Sequence, residues 1–200
     1  ALLSGSYAMR VAEVGNRKNG HPVLHPGEIT IAEVLRDAGY RTGMVGKWHL
    51  AGNTRKEYPL ELMPNGQGFD YFYGAPLHNG FTRTIEGSRF RMQLMRQNEV
   101  LDQSIDQSEM DQVTKLYTDE AVRFIKDSAK GDKPFMLYLA HTMAHVVIGA
   151  TDPFRGHSGG GLYGDVIEEL DWSMGEVIKA LKKAKVDDNT LVVFTSDNGP

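Results

Sequence analysis

Residues 28–38 place Ile31, Val34, Leu35 and Ala38 three and four positions apart, the spacing of one apolar helix face, and Gly39 follows as a stop. Tyr40–Val45 then reads as a short strand that ends at Gly46. A second helical spacing runs through Val113, Leu116, Tyr117, Ala121, Phe124 and Ile125, with Gly131 beyond it. Phe135–Ala140 is a continuous apolar run of strand length. The longest amphipathic face carries Val166, Ile167, Leu170, Met174, Val177, Ile178 and Leu181, and Leu191–Thr195 reads as another buried strand. Continuous apolar strands separated by helices predict an α/β fold, with a mostly parallel sheet sandwiched by helices. Residues 52–112 carry many Gly, Asn, Gln, Met and Arg without a long period, so they read as an irregular excursion from that sheet within one domain over 1–200. The Gly156–Gly161 stretch reads as a flexible loop, because no strand runs directly into it.

Each predicted strand is followed at once by conspicuous polar groups. Lys47, Trp48 and His49 follow the first; His141 and His145 follow the second; Asp197 and Asn198 follow the third. Ligands of open parallel sheets bind outside the carboxyl ends of the strands. Strands sharing a direction would therefore gather Lys47, His49, His141, His145, Asp197 and Asn198 at one edge. Asp197 and Asn198 offer hard oxygen ligands suited to Ca²⁺ or Mg²⁺. Lys47 is a compact cation for an anionic oxygen, and histidines move protons near neutral pH. Such a set fits a sulfate, phosphate or phosphonate ester. Asp-Asn-Gly after a strand is equally a common turn. His21, His25, His78 and His157, away from these strand ends, read as structural.

Composition narrows this further. With 22 Lys and Arg against 26 Asp and Glu, the net charge of -4 gives no electrostatic footprint for nucleic acid. The absence of cysteine excludes disulfides, thiolate zinc sites and a cysteine nucleophile within these 200 residues. No apolar run approaches the roughly 20 residues needed for a transmembrane segment. Ala1-Leu2-Leu3 opens inside an apolar stretch, and Asp197-Asn198-Gly199-Pro200 stops on a polar turn, so the chain reads as an internal piece of something longer.

These residues resemble the sulfatases, formylglycine-dependent hydrolases of the alkaline phosphatase superfamily, and look nearest to arylsulfatases. Ala1-Leu2-Leu3-Ser4-Gly5-Ser6-Tyr7 resembles the stretch after that family's C-x-P-S-R signature. Gly46-Lys47-Trp48-His49-Leu50 resembles its G-K-W-H-L-G block, with Ala51 in place of the last glycine. Gly68-Phe69-Asp70-Tyr71-Phe72-Tyr73-Gly74, His141-Thr142-Met143-Ala144-His145-Val146 and Thr195-Ser196-Asp197-Asn198-Gly199 resemble further blocks in the same order.

The resemblance implies an alkaline-phosphatase-like fold, here incomplete, and hydrolysis of sulfate esters to alcohol and inorganic sulfate. It gives Lys47 and His145 contact with the sulfate, with His145 assisting the leaving alcohol. His49 is expected to act on the hydrated formylglycine, and His141 is a further catalytic candidate. Asp197 and Asn198 become two ligands of Ca²⁺, with Mg²⁺ as the alternative ion. The formylglycine itself is expected outside this chain, so the isolated piece is expected to turn nothing over. The expected partner is a small-molecule or glycan sulfate ester, and the expected location is periplasmic, secreted or lysosomal. Residues 52–112 are expected to line the substrate pocket, with Tyr71, Tyr73, His78 and Arg83 as contact candidates. A phosphodiesterase or phosphonate monoester hydrolase on the same scaffold, or a non-catalytic binding module, is the alternative.

Overall fold

The computed structural model describes all residues except 8–23, 25–26, 53–57, 83–91, 103 and 198–200. Helix α1, Ile31–Asp37, starts at a reciprocal cap. The Thr30 hydroxyl accepts from the Glu33 amide at 3.1 Å, and the Glu33 carboxylate accepts from the Thr30 amide at 2.8 Å. The apolar face predicted for this helix is not what it buries: Ala32 is packed, while Ile31 and Val34 are 42% and 55% exposed. The Thr30 hydroxyl also donates to the Gln67 carbonyl at 2.8 Å, and that tether sets which side of α1 turns inward.

Strand β1, Arg41–Lys47, is followed by β2, Tyr71–Ala75; β3, Leu94–Arg96; and β4, Glu99–Asp102. A single-turn helix α2, Gln107–Met110, leads into α3, Val113–Ser128, then β5, Phe135–Ala140, and α4, Gly161–Ala184. Among the described residues the sheet has the order β4-β3-β2-β1-β5. The three strands β2, β1 and β5 run parallel, whereas β3 and β4 extend the sheet antiparallel. The α/β architecture is the one expected, with a mixed sheet.

Two local expectations are corrected. Residues 52–112 are not an irregular excursion, because they contribute three of the five strands. Leu191–Thr195 forms no strand, and Leu191, Val193 and Phe194 are 89%, 71% and 78% exposed. Apolar β-branched residues favour extended backbone, but a strand exists only through a neighbour's hydrogen bonds, and no described strand pairs with this segment.

Alternation through β1 and β2 divides the core into two layers. Met44 and Phe72 pack with Trp48, Phe69 and Ala32 on one face. Val45 and Tyr73 pack with Val113, Tyr117 and Val166 of α3 and α4 on the other. Gly46 holds the strands close. Its φ is 118°, and a Cβ there would stand 1.9 Å from the Ala140 carbonyl oxygen.

Candidate active site

The register fixes where the chemistry gathers. Lys47 pairs with Ala75, and Gly46 pairs with both Gly74 and Ala140, so the three parallel strands finish level. His49 follows the end of β1, His78 the end of β2 and His145 the end of β5. The His49 and His78 rings lie 5.1 Å apart, and the His78 and His145 rings also 5.1 Å apart. Three imidazoles thus form a continuous row at one sheet edge.

Trp48 anchors the first of them. It is buried, its indole N–H donates to the Leu62 carbonyl at 2.7 Å, and it meets Phe69 edge-on at 6.0 Å. The flanking Lys47 and His49 are half-buried. His49 takes φ 56°, a left-handed conformation uncommon outside glycine, and its amide donates to the Pro76 carbonyl at 3.0 Å. The Gly68-Phe69-Asp70 segment is structural: the Asp70 carboxylate accepts from the Thr42 amide at 3.0 Å, tying the starts of β1 and β2.

Lys47 is the last residue of β1. Burial pushes its ammonium below the usual lysine range, and the Asp197 carboxylate opposes that by favouring the charge. Asp197 also acts on the Tyr138 phenol in β5, whose pKa is raised chiefly by burial. The segment after α4 therefore reaches the same edge although it adds no strand. Asn198 lies outside the described residues, as do His21, His25 and Arg83. Among the described residues no group of three or more His, Asp or Glu side chains is placed to hold a metal.

His141 does not join the row. It stacks at a tilt on Tyr117 at 6.3 Å, and its Nε2 lies 2.9 Å from the Ser173 hydroxyl of α4, which is 2.7 Å from the Thr118 hydroxyl of α3. Its Nδ1 is buried without a hydrogen-bond partner in the structure. Burial pushes this imidazole down to about 4. The folded chain thus favours neutral His141, while the unfolded chain protonates near 6.5. The stability this contributes is complete above pH 6.5 and is lost as pH falls toward 4. At about 1.4 kcal/mol per pH unit, the loss should reach about 3 kcal/mol at the acid end. His141→Phe should therefore flatten the acid limb of urea-melt stability between pH 6.5 and 4. Equal acid sensitivity in both proteins would refute this.

Two residues of the edge stand outside the sequence-derived set. His78, read from sequence as structural or as a pocket-wall candidate, stands at the centre of the row. Asn79, fully buried, donates its amide to the carbonyls of His145 and of Val147, the latter at 2.8 Å, and so ties the turn after β2 to the loop after β5. The aromatic run Tyr71-Phe72-Tyr73 followed by Pro76-Leu77-His78-Asn79 repeats the strand-then-polar pattern of the other sites. Gly74 and Pro76 disguise it as loop. Tyr71 and Tyr73 point elsewhere: the Tyr71 hydroxyl bonds to Glu120, and Tyr73 meets Tyr117 at 6.2 Å, both on α3.

A level row of strand ends carrying a half-buried ammonium, a carboxylate and three imidazoles can grip an anion and move protons beside it. A family model described as Sulfatase matches residues 1–200, and the chain belongs to that family. It is 33% identical to human N-acetylgalactosamine-6-sulfatase over 214 residues, covering 100% of this chain and 40% of the relative. It is 30% identical to an arylsulfatase of Hemicentrotus pulcherrimus, covering 100% of this chain and 37% of the relative. The chain thus spans about 40% of the length of the curated relatives it matches. Among solved structures, a 6S-sulf protein from a study of glycosaminoglycan metabolism by Bacteroides thetaiotaomicron matches with TM-score 0.78 and 25% identity. That match covers 100% of this chain and 51% of the solved one.

Proposed function

We propose that the full-length protein hydrolyses sulfate esters and that this chain supplies the residues that hold the sulfate and move its protons. The observation that carries the reading is the convergence of Lys47, His49 and His145 at the level ends of parallel strands. In this reading Lys47 draws in the non-bridging sulfate oxygens, and its partial burial strengthens that attraction. His145, exposed on its loop, gives a proton to the bridging oxygen as the sulfur–oxygen bond breaks, so the alcohol leaves neutral. His49 takes up a proton in the half-reaction that frees inorganic sulfate. The net reaction adds hydrogen to the alcohol oxygen and hydroxide to sulfur. His141, packed behind the edge, positions the strand end and does not touch substrate.

Sulfatases generally use formylglycine and a divalent metal, which would supply the nucleophile and further positive charge. The described residues do not assemble a metal shell, so the roles proposed stop at the side chains above. The curated relatives named for N-acetylgalactosamine-6-sulfate favour a sulfated sugar as substrate. The test is release of inorganic sulfate by the full-length protein from N-acetylgalactosamine 6-sulfate and an aryl sulfate, set against an aryl phosphodiester. Sulfate release with little phosphodiester cleavage is the expected result. Preference for the phosphodiester, or no turnover of either class, would overturn the reading.

A further inference from the structure

His78 is the one member of the imidazole row to which the proposed chemistry gives no task. Its ring is held from both sides, tilted 48° to His49 and 51° to His145, with 5.1 Å between centroids in each case. It is also held from below. The Gly80 amide donates to its Nδ1 at 3.0 Å, so Nδ1 carries no proton and the ring hydrogen sits on Nε2. Gly80 itself is needed for that approach, because a Cβ there would stand 2.7 Å from both Cε1 and Nδ1 of His78. The next residue, Asn79, clamps the loop that carries His145. His49 comes from one strand end in a left-handed conformation, and His145 is exposed on a loop. The described residues place one ring against both of them.

We propose that His78 is a positioning residue, a wedge whose ring sets the separation and orientation of His49 and His145. The inference rests on the proposed roles of those two histidines. A rigid ring pinned by a backbone amide transmits the geometry of the β2 turn to side chains from β1 and β5. Misplacement of reacting groups by about 1 Å can cost on the order of a hundredfold in rate. Loss of the wedge should therefore act on kcat and leave KM nearly unchanged.

Four variants of the full-length protein test it. His78→Ala removes the ring, and His78→Asn keeps an acceptor for the Gly80 amide but no ring. His78→Phe keeps a ring but no acceptor. Gly80→Ala leaves all three histidines in place chemically and displaces the His78 ring. Expected are losses in kcat of about ten- to a hundredfold for His78→Ala, His78→Asn and Gly80→Ala, with His78→Phe within a few-fold of wild type. The double variant His78→Ala with Gly80→Ala should be no worse than His78→Ala alone, since the displaced ring is already gone. Imidazole NMR signals of His49 and His145, but not His157, should shift in Gly80→Ala. That measurement needs no turnover, so it tests the wedge even if the sulfatase reading fails. The proposal is overturned if those signals stay fixed, if His78→Asn retains kcat while His78→Phe does not, or if the loss appears in KM alone.

Discussion

Replacing Lys47 with methionine is expected to lower kcat/KM for sulfate esters by about 100- to 1,000-fold in the full-length protein, the scale of losing one preorganised charge contact. The same change should leave thermal stability unchanged or slightly raised. The two effects diverge for one reason. Lys47 ends β1 in a half-buried position where desolvation works against its charge and Asp197 works for it. A neutral side chain of similar length relieves that unfavourable burial and removes the cation proposed to hold the sulfate. Lys47→Arg should not restore activity, because a planar guanidinium cannot occupy the place of a compact ammonium. A Lys47→Met protein with kcat/KM within a few-fold of wild type would remove Lys47 from the site. One that is inactive and also unfolds several degrees early would make the lysine structural.

The sequence pattern was most legible where a strand is a compact apolar run or a helix is long. Arg41–Lys47, Phe135–Ala140, Val113–Ser128 and Gly161–Ala184 all follow from apolar periodicity. Legibility failed where tertiary contacts decide. Tyr71–Ala75 is short, contains glycine and aromatics, and becomes a strand because Thr42 and Asp70 bond each other's backbone amides and set its register on β1. Leu191–Thr195 fails in the opposite sense, since its composition suits a strand and no described neighbour pairs with it. At the site, Lys47, His49 and His145 were legible as residues following strands. Missing β2 hid the wedge: with no strand there, nothing in the spacing brings His78 between histidines from two other elements. The residue types announced the chemistry, but the register alone placed them at one edge.

His145→Ala should lower turnover in a manner that depends on the leaving group, and this dependence separates a proton donor from a mere wall. A sugar alkoxide is a strong base and must leave as the protonated alcohol. For such an ester the loss of a positioned general acid is worth about 10²- to 10⁴-fold. A nitrophenolate is stable near neutral pH and leaves without a proton. For the nitrophenyl sulfate the same variant should lose far less, and the ratio of the two losses measures the acid role. The loop keeps a hold that does not pass through the imidazole: His145 Nδ1 bonds to the Val146 carbonyl oxygen, but Asn79 grips the backbone carbonyls of His145 and Val147, and those two bonds remain after truncation. His145 is moreover exposed, so removing its ring leaves no cavity in the core. His49→Asn, which keeps a side chain tolerant of the left-handed backbone at that position, should by contrast depress both substrates alike, because the task proposed for His49 lies after the alcohol has gone. Equal losses for sugar and nitrophenyl esters in His145→Ala would exchange the roles proposed for these two histidines.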